Sequence, residues 1–434
     1  MSYDVISRSD GSLVATSTSQ PHRNSLYKQF KRYSIWLTLA GLYPWSATGG
    51  SPQTATTLCS KIRSAVSWIP AATLFILMIL AALDRLTIML IHRFDWENPT
   101  GLAAELRLAT MVCFRSSVAV LIPLACHKTR KLDKVFRLLS LLCKDVFVEQ
   151  PWKNRLMVVT SMLAILTVFF AGYFLSSGVF VLVHVITDPR GISNSTPTYY
   201  WSTEAAYSFF LLFARVSAMH IRLIFFIMVI LLTSTAGLQF SIYYTRLKRA
   251  FRARSCLYAS EQSDQKEVEI RLILSNHFTL STAVAKADKI LSPLLLVTVP
   301  FDLAMTVFIF AHLFNGSDAA DILAYNTIRS SLLSNLVCGF DLVWMVIVLF
   351  GPIVTSAYLK QQAEKAVKEI SFFIGCEDTE SKFKRMLKKR ANLIKDFPPA
   401  LTLWSIAVLD KNIFLVVLGV LGTYLFIILE VSQW

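Results

Sequence analysis

Residues 412–434 read NIFLVVLGVLGTYLFIILEVSQW, and the first 18 of them carry no charge at all. At 1.5 Å per residue, the 20 residues from Asn412 to Val431 extend about 30 Å, the thickness of a bilayer's hydrocarbon core. The stretch therefore reads as a membrane span. It also carries a pattern. Ile427, Glu430, Val431 and Trp434 stand at i, i+3, i+4 and i+7, so they form one helical stripe in which a carboxylate sits among apolar side chains. Two readings fit that carboxylate. Glu430 either surfaces into water four residues from the end of the chain, or joins copies of itself around an axis, where Ile427 or Val431 would form a constriction and the carboxylates would favour cations.

Working outward, six further apolar runs have span length, at about 65–91, 102–126, 156–186, 204–238, 290–314 and 326–357. The whole composition agrees, with 54% hydrophobic and only 16% charged residues among 434. The fold class is thus an all-α integral membrane protein with seven spans. Basic residues orient it. The connections 1–63, 127–155, 244–289 and 360–411 hold 35 of the 43 Lys and Arg, whereas the alternate connections hold only Arg93 and Arg190. This asymmetry places the amino terminus in the cytoplasm and the carboxyl terminus outside. Two glycosylation acceptors, Asn194-Ser195-Thr196 and Asn315-Gly316-Ser317, fall in connections assigned to the outside.

Residues 1–32 are Ser- and Thr-rich, lack the apolar core of a signal peptide, and read as a disordered cytoplasmic tail. A shorter apolar run at 33–45 makes 33–63 an interfacial or re-entrant segment with its linker, anchored by Trp36 and Trp45. The membrane domain occupies 64–434. Its fourth span runs on through Ser241, Tyr243 and Arg246 into Arg254, and residues 359–395 mix Lys, Glu, Ile and Phe at helical spacing. Helical extensions into the cytoplasm follow.

Charges within the spans cannot face lipid, since each would cost roughly 3 kcal/mol or more at the bilayer centre. Arg107 and Arg115 lie eight residues apart and Arg215 and Arg222 seven apart, so each pair shares an inward face. With Asp302, Asp341 and His220 they form either interior ion pairs or the wall of a polar ligand pocket. Trp68 and Trp344, within spans, are either packing residues or ultraviolet absorbers.

Several function classes drop out. The seven Cys are dispersed, with no CxxC, and neither HExxH nor GxSxG occurs, so neither a zinc site nor a hydrolase is indicated and no cofactor is called for. Basic runs such as Arg246 to Arg249 and Lys382 to Arg390 read as attraction to the anionic inner leaflet rather than to nucleic acid. An odd span count with 15 Gly also disfavours an inverted-repeat transporter.

The last span resembles the closing segment of the insect-type gustatory and odorant receptor superfamily, which reads Thr-Tyr, five apolar residues, Gln-Phe. Here Thr423-Tyr424 is followed by Leu425 to Leu429 and then Glu430-Val431, so seven positions fit and two depart. Leu409-Asp410, Asn412, Gly422 and the segment Gly41-Leu42-Tyr43-Pro44 are similar as well. The resemblance implies a tetrameric, stimulus-gated cation channel, a homotetramer or a heteromer with related receptors, in the plasma membrane of sensory neurons. Its pore is lined by the seventh helices, with gating positions at Ile427 and Val431 and the pore glutamine replaced by Glu430. It implies cytoplasmic helices that hold the subunits together and a small-molecule pocket in the outer half of each bundle. Nematode members sense ultraviolet light or peroxide, which leaves light as an alternative stimulus. A G-protein-coupled receptor is the contrasting class, with an external amino terminus and usually an external disulfide, whereas the external connections here contain no Cys.

Overall fold

The computed structural model describes residues 69–91, 112, 116–122, 131–187, 204–256, 261–314, 331–376, 381–396 and 398–431. These residues are almost wholly helical. The helices are α1 (Ile69–Ile91), α2 (Lys144–Val148), α3 (Gln150–Thr187), α4 (Glu204–Cys256), α5 (Glu261–Phe314), α6 (Ser331–Cys376), α7 (Lys382–Asp396) and α8 (Lys411–Val431). Residues 116–122 and 131–142 are helical too. Two short strands, β1 (Thr402–Leu403) and β2 (Ala407–Val408), pair antiparallel between α7 and α8, with Thr402 opposite Val408 and Leu403 opposite Ala407.

Among the described residues four helical segments are long and apolar enough to cross a membrane: Gln150–Tyr173, His220–Arg254, Asp264–Val307 and Leu342–Cys376. Shorter apolar stretches occupy Ala72–Leu83 and Lys411–Ile427. The chain is a multi-pass membrane protein. The expected spans at 65–91, 156–186, 204–238, 290–314, 326–357 and 412–431 fall largely on helices, whereas that at 102–126 is described only at 112 and 116–122. The segments 1–32 and 33–63 lie outside the described residues.

The helices run on beyond the apolar stretches. α4, α5 and α6 hold 53, 54 and 46 residues, about 80, 80 and 70 Å at 1.5 Å per residue, more than twice the hydrocarbon thickness. Charges end an apolar run without ending a helix, because Lys, Glu, Gln and Ala are all good helix formers. So α5 begins at Glu261, ahead of the span expected from about 290, and α6 continues to Cys376, past the span expected to about 357. The fourth span does run unbroken through Arg254. Residues 359–395, in contrast, are divided between α6 and α7.

α4 is the central helix, packed against α3, α5 and α6. From Ile221 to Tyr243 every residue is buried, on all sides, as expected of an all-apolar helix enclosed by others. α3 is also apolar yet leaves Met157, Met162, Ile165 and Val168 exposed, up to 75% at Val168. Such a surface needs lipid rather than water against it. Two glycines allow α4 and α6 to approach closely. A Cβ on Gly237 would come within 2.7 Å of the Tyr358 ring, and one on Gly351 would collide with the Phe226 ring. Proline at 293, 300 and 352 is accommodated inside α5 and α6, since neighbouring helices in a bundle can satisfy the freed carbonyls.

α7 turns back along α6 because its apolar face, Phe383, Leu387, Ala391 and Ile394, is buried while its basic residues stay outside. Phe383 lies 6.4 Å from Phe373 and the Arg390 guanidinium sits 5.2 Å over Phe278. Phe373 is 13 residues past Lys360, about 20 Å along α6. The basic run Lys382 to Arg390 therefore starts about 20 Å beyond Lys360 and runs back along α6.

Candidate functional site

α8 contacts α5 and α6 through one narrow stripe, with Val417 and Leu421 buried and Ile413 and Phe414 half-buried. The opposite side is uncovered. Val416, Thr423, Ile427 and Glu430 stand at i, i+7, i+11 and i+14, so they share one face, and all four are exposed. Ile427 is 47% exposed and Tyr424 51%. The Thr423 hydroxyl is turned back to the Gly419 carbonyl at 2.9 Å. Gly419 and Gly422 have nothing within 4 Å of the place a side chain would take. A single chain thus presents an apolar helix face that ends in a carboxylate.

The base of α8 is fixed from two sides. Asp410 caps the helix, accepting from the backbone N–H groups of Asn412 at 2.9 Å and Ile413 at 3.4 Å. Its other oxygen accepts from Lys360 Nζ on α6 at 2.8 Å, and the pairing and capping bonds hold this carboxyl below the usual carboxylate range. Asp288 on α5 then holds the hairpin, accepting from the Thr402 N–H at 2.7 Å and the Thr402 hydroxyl at 2.8 Å.

Deeper in the bundle, Arg222 on α4 pairs with Asp302 on α5 at 2.8 Å. Its other terminal nitrogen donates to the Ser117 hydroxyl at 3.0 Å, and Met305 sulfur lies 3.8 Å away. The Thr306 hydroxyl donates to the Asp302 carbonyl at 2.6 Å. One charged cluster thus ties together three helical segments. His220, two residues earlier on α4, is half-buried. Trp344 on α6 is buried, with its ring 4.5 Å from Phe170 and 6.1 Å from Phe226. Packing accounts for its position.

A second polar network lies beyond the apolar part of α4. Arg246 pairs with Asp145 at 2.9 Å and Glu149 at 2.5 Å, and Gln239 Nε2 donates to Asp145 at 3.1 Å. The Tyr244 hydroxyl donates to Glu369 at 3.0 Å, and the Arg254 guanidinium sits 4.1 Å over the Phe383 ring. α4, α6 and α7 are thereby locked into one extension beyond the apolar part of the bundle, joined by residues 131–148. Cys143, buried in the same region, has its thiol pushed up by burial and by Asp145, and is chemically quiet.

Of the residues singled out in the sequence, Arg222 and Asp302 meet, and Thr423, Tyr424, Ile427 and Glu430 lie exposed on α8. Arg107, Arg115, Trp68, Asn194 and Asn315 lie outside the described residues, as do the side chains of Arg215, Asp341 and Val431. The Lys360–Asp410 and Asp288–Thr402 links were missed, because nothing local in the sequence signals a partner 50 or 114 residues away. Among the described residues no group of three His, Cys, Asp or Glu could hold a metal ion.

No family model matches the sequence, and no curated protein matches it either. Solved structures do. The chain is similar to the insect olfactory receptor OR5 from Machilis hrabei in complex with eugenol, with a TM-score of 0.60 and 12% identity over 94% of this chain and 98% of that one. A second structure of the same receptor gives a TM-score of 0.53 and 14% identity, with the same coverage. At such identities the likeness is one of fold, and it runs over nearly the full length of both chains: this chain has the fold of an insect olfactory receptor, as the resemblance at α8 implied.

Proposed function

We propose that the chain is a chemosensory receptor of the insect gustatory and odorant receptor superfamily, a stimulus-gated cation channel in which four copies of α8 surround one pore. The fold likeness over 94% of the chain supports the family reading. The observation that carries the channel reading is the uncovered face of α8. A span that binds its own subunit by one stripe and leaves Val416, Thr423, Ile427 and Glu430 open is suited to line a shared conduit. On this reading Ile427 and Val431 form the constriction and Glu430 supplies a carboxylate ring beside it.

The stimulus is a small organic molecule. The similar receptor was solved with eugenol, and Arg222, Asp302 and Ser117 place a polar cluster inside an otherwise apolar bundle, the kind of group that orients a small ligand. The gustatory-type assignment and the location in the plasma membrane of sensory neurons, with glycans on Asn194 and Asn315, complete the reading. Cells expressing only this chain are the test, with currents recorded against a panel of volatile and soluble tastants, peroxide and ultraviolet light. Stimulus-dependent cation current is expected for an organic compound. Current to light alone, lost in Trp344→Phe, would favour the photoreceptor reading. Surface expression without current under every stimulus, alone or with related receptors, would overturn the channel.

A further inference from the structure

We propose that the β1–β2 hairpin is a lipid anchor: its tip, Trp404 and Ile406, inserts into the headgroup region of an anionic leaflet beside the base of α8. Three boundary markers set the level of this hairpin. α6 carries no charge from Leu342 to Leu359, so Lys360 marks the end of its apolar stretch. Lys411 marks the start of that of α8, and Asp288 and Lys289 precede the uncharged run 290–301 of α5. The hairpin is bonded to this level twice, through Thr402 to Asp288 at 2.7 Å and through the Leu401 N–H to the Ser356 hydroxyl at 3.2 Å. Asp410, two residues past β2, is bound to Lys360. The hairpin therefore sits where hydrocarbon gives way to headgroups.

Its shape then needs explaining. Trp404 and Ser405 both adopt positive φ, 47° and 62°, a conformation that costs a non-glycine residue, and the Ile406 N–H closes the turn on the Leu403 carbonyl at 2.9 Å. Asn-Gly would form such a turn without strain. Instead the turn displays Trp404, 61% exposed, and Ile406, 77% exposed, while the strands beneath it are half-buried. Tryptophan is the residue enriched at the membrane boundary, because its ring is apolar and its N–H is not. The flanks are basic, with Lys286, Lys289 and Lys411 all exposed, which fits anionic phosphates. The exposed apolar side chain of Leu415 continues the same surface up α8. A strained turn that holds two large apolar groups at this level, between lysines and a lipid-length helix, fits an interface more closely than it fits water.

The test uses the full chain in nanodiscs, comparing Trp fluorescence of the natural protein with Trp404→Phe, so that the difference reports Trp404. Lipid brominated close to the headgroup should remove most of that difference signal, aqueous iodide should remove little, and phosphatidylserine should deepen the bromolipid loss. That deepening should vanish in Lys286→Glu/Lys289→Glu. If Trp404→Phe fails to fold, Ile406→Phe with Trp404 retained carries the same quenching comparison against Trp404→Tyr. Quenching by iodide alone would overturn the anchor, and so would a signal shielded from both quenchers, which would mark a contact with a second copy. Absence of any deepening by phosphatidylserine would overturn the anionic preference, and deepening that survives the lysine changes would overturn the role given to Lys286 and Lys289. Because the nanodisc offers the same lipid on both faces and no current is read, these results are independent of the channel and of its orientation.

Discussion

Arg222 on α4 and Asp302 on α5 meet at 2.8 Å with both side chains only 2% exposed, so a full ion pair is enclosed between two apolar helices. Neither charge has water to return to. Replacing one partner leaves the other stranded, a loss of about 3–5 kcal/mol, whereas replacing both with apolar groups of similar size is close to neutral. Arg222→Met and Asp302→Leu should each lower the yield of monodisperse receptor and its melting temperature, and the double variant should recover most of the loss. A double variant no better than the worse single one would show that Ser117 or the wider helix packing, rather than the pair, sets the cost.

Close approach of α4 and α6 at Gly237 gives a second expectation. An added methyl there meets the Tyr358 ring at 2.7 Å and the Leu359 Cα at 3.5 Å, so Gly237→Ala should destabilise by about 1–3 kcal/mol. Gly172 on α3 has nothing within 4 Å, and Gly172→Ala should be neutral or stabilising by up to about 1 kcal/mol. Melting of the two variants in one detergent compares them directly. Equal effects would show that the α4–α6 crossing has room for a methyl group at Gly237.

The Lys360–Asp410 link predicts a pH dependence. Asp410 titrates below its ordinary value of about 4, so the unfolded chain takes up its proton first on acidification. The stabilisation is then complete above that ordinary value and is lost as pH falls through the lower folded value. Melting curves from neutral pH down into the carboxylate range should show a loss that Asp410→Asn removes, the variant being less stable at neutral pH and no more acid-sensitive. An acid-induced loss of equal size in Asp410→Asn would assign it to other carboxylates.

Much of the fold was legible because the bilayer restricts the choices. Apolar run length marked α3, α4, α6 and α8, and Tyr243, Arg246 and Arg254 at helical spacing revealed that α4 continues past the membrane. The cost of burying charge singled out Arg222 and Asp302 as interior, yet their partnership across 80 residues depends on how α4 and α5 cross, which no local pattern records. The hairpin was illegible for a different reason. Thr402 to Val408 lacks the Asn-Gly or Asp-Gly that usually marks such a turn, and uses Trp404-Ser405 in its place. The helical stripe on α8 placed Ile427 and Glu430 together on one face, and in the structure both are exposed there.

That face carries the last prediction. Glu430 stands three residues from Ile427 on the uncovered side of α8, and no other part of the described chain covers it. In the proposed tetramer four such carboxylates face one axis, where they repel each other, draw cations and exclude anions. Glu430→Gln should keep a cation current but weaken block or permeation by divalent ions, because the carboxylate charge is gone. Glu430→Lys should reverse or abolish cation selectivity, read as a shift of reversal potential under a salt gradient. Ile427→Ala, by widening the apolar constriction next to it, should raise the current without stimulus while leaving selectivity to Glu430. Reversal potentials and divalent sensitivity unchanged in both Glu430 variants would remove this residue from the conduction path, and α8 would then be a lipid-facing packing helix.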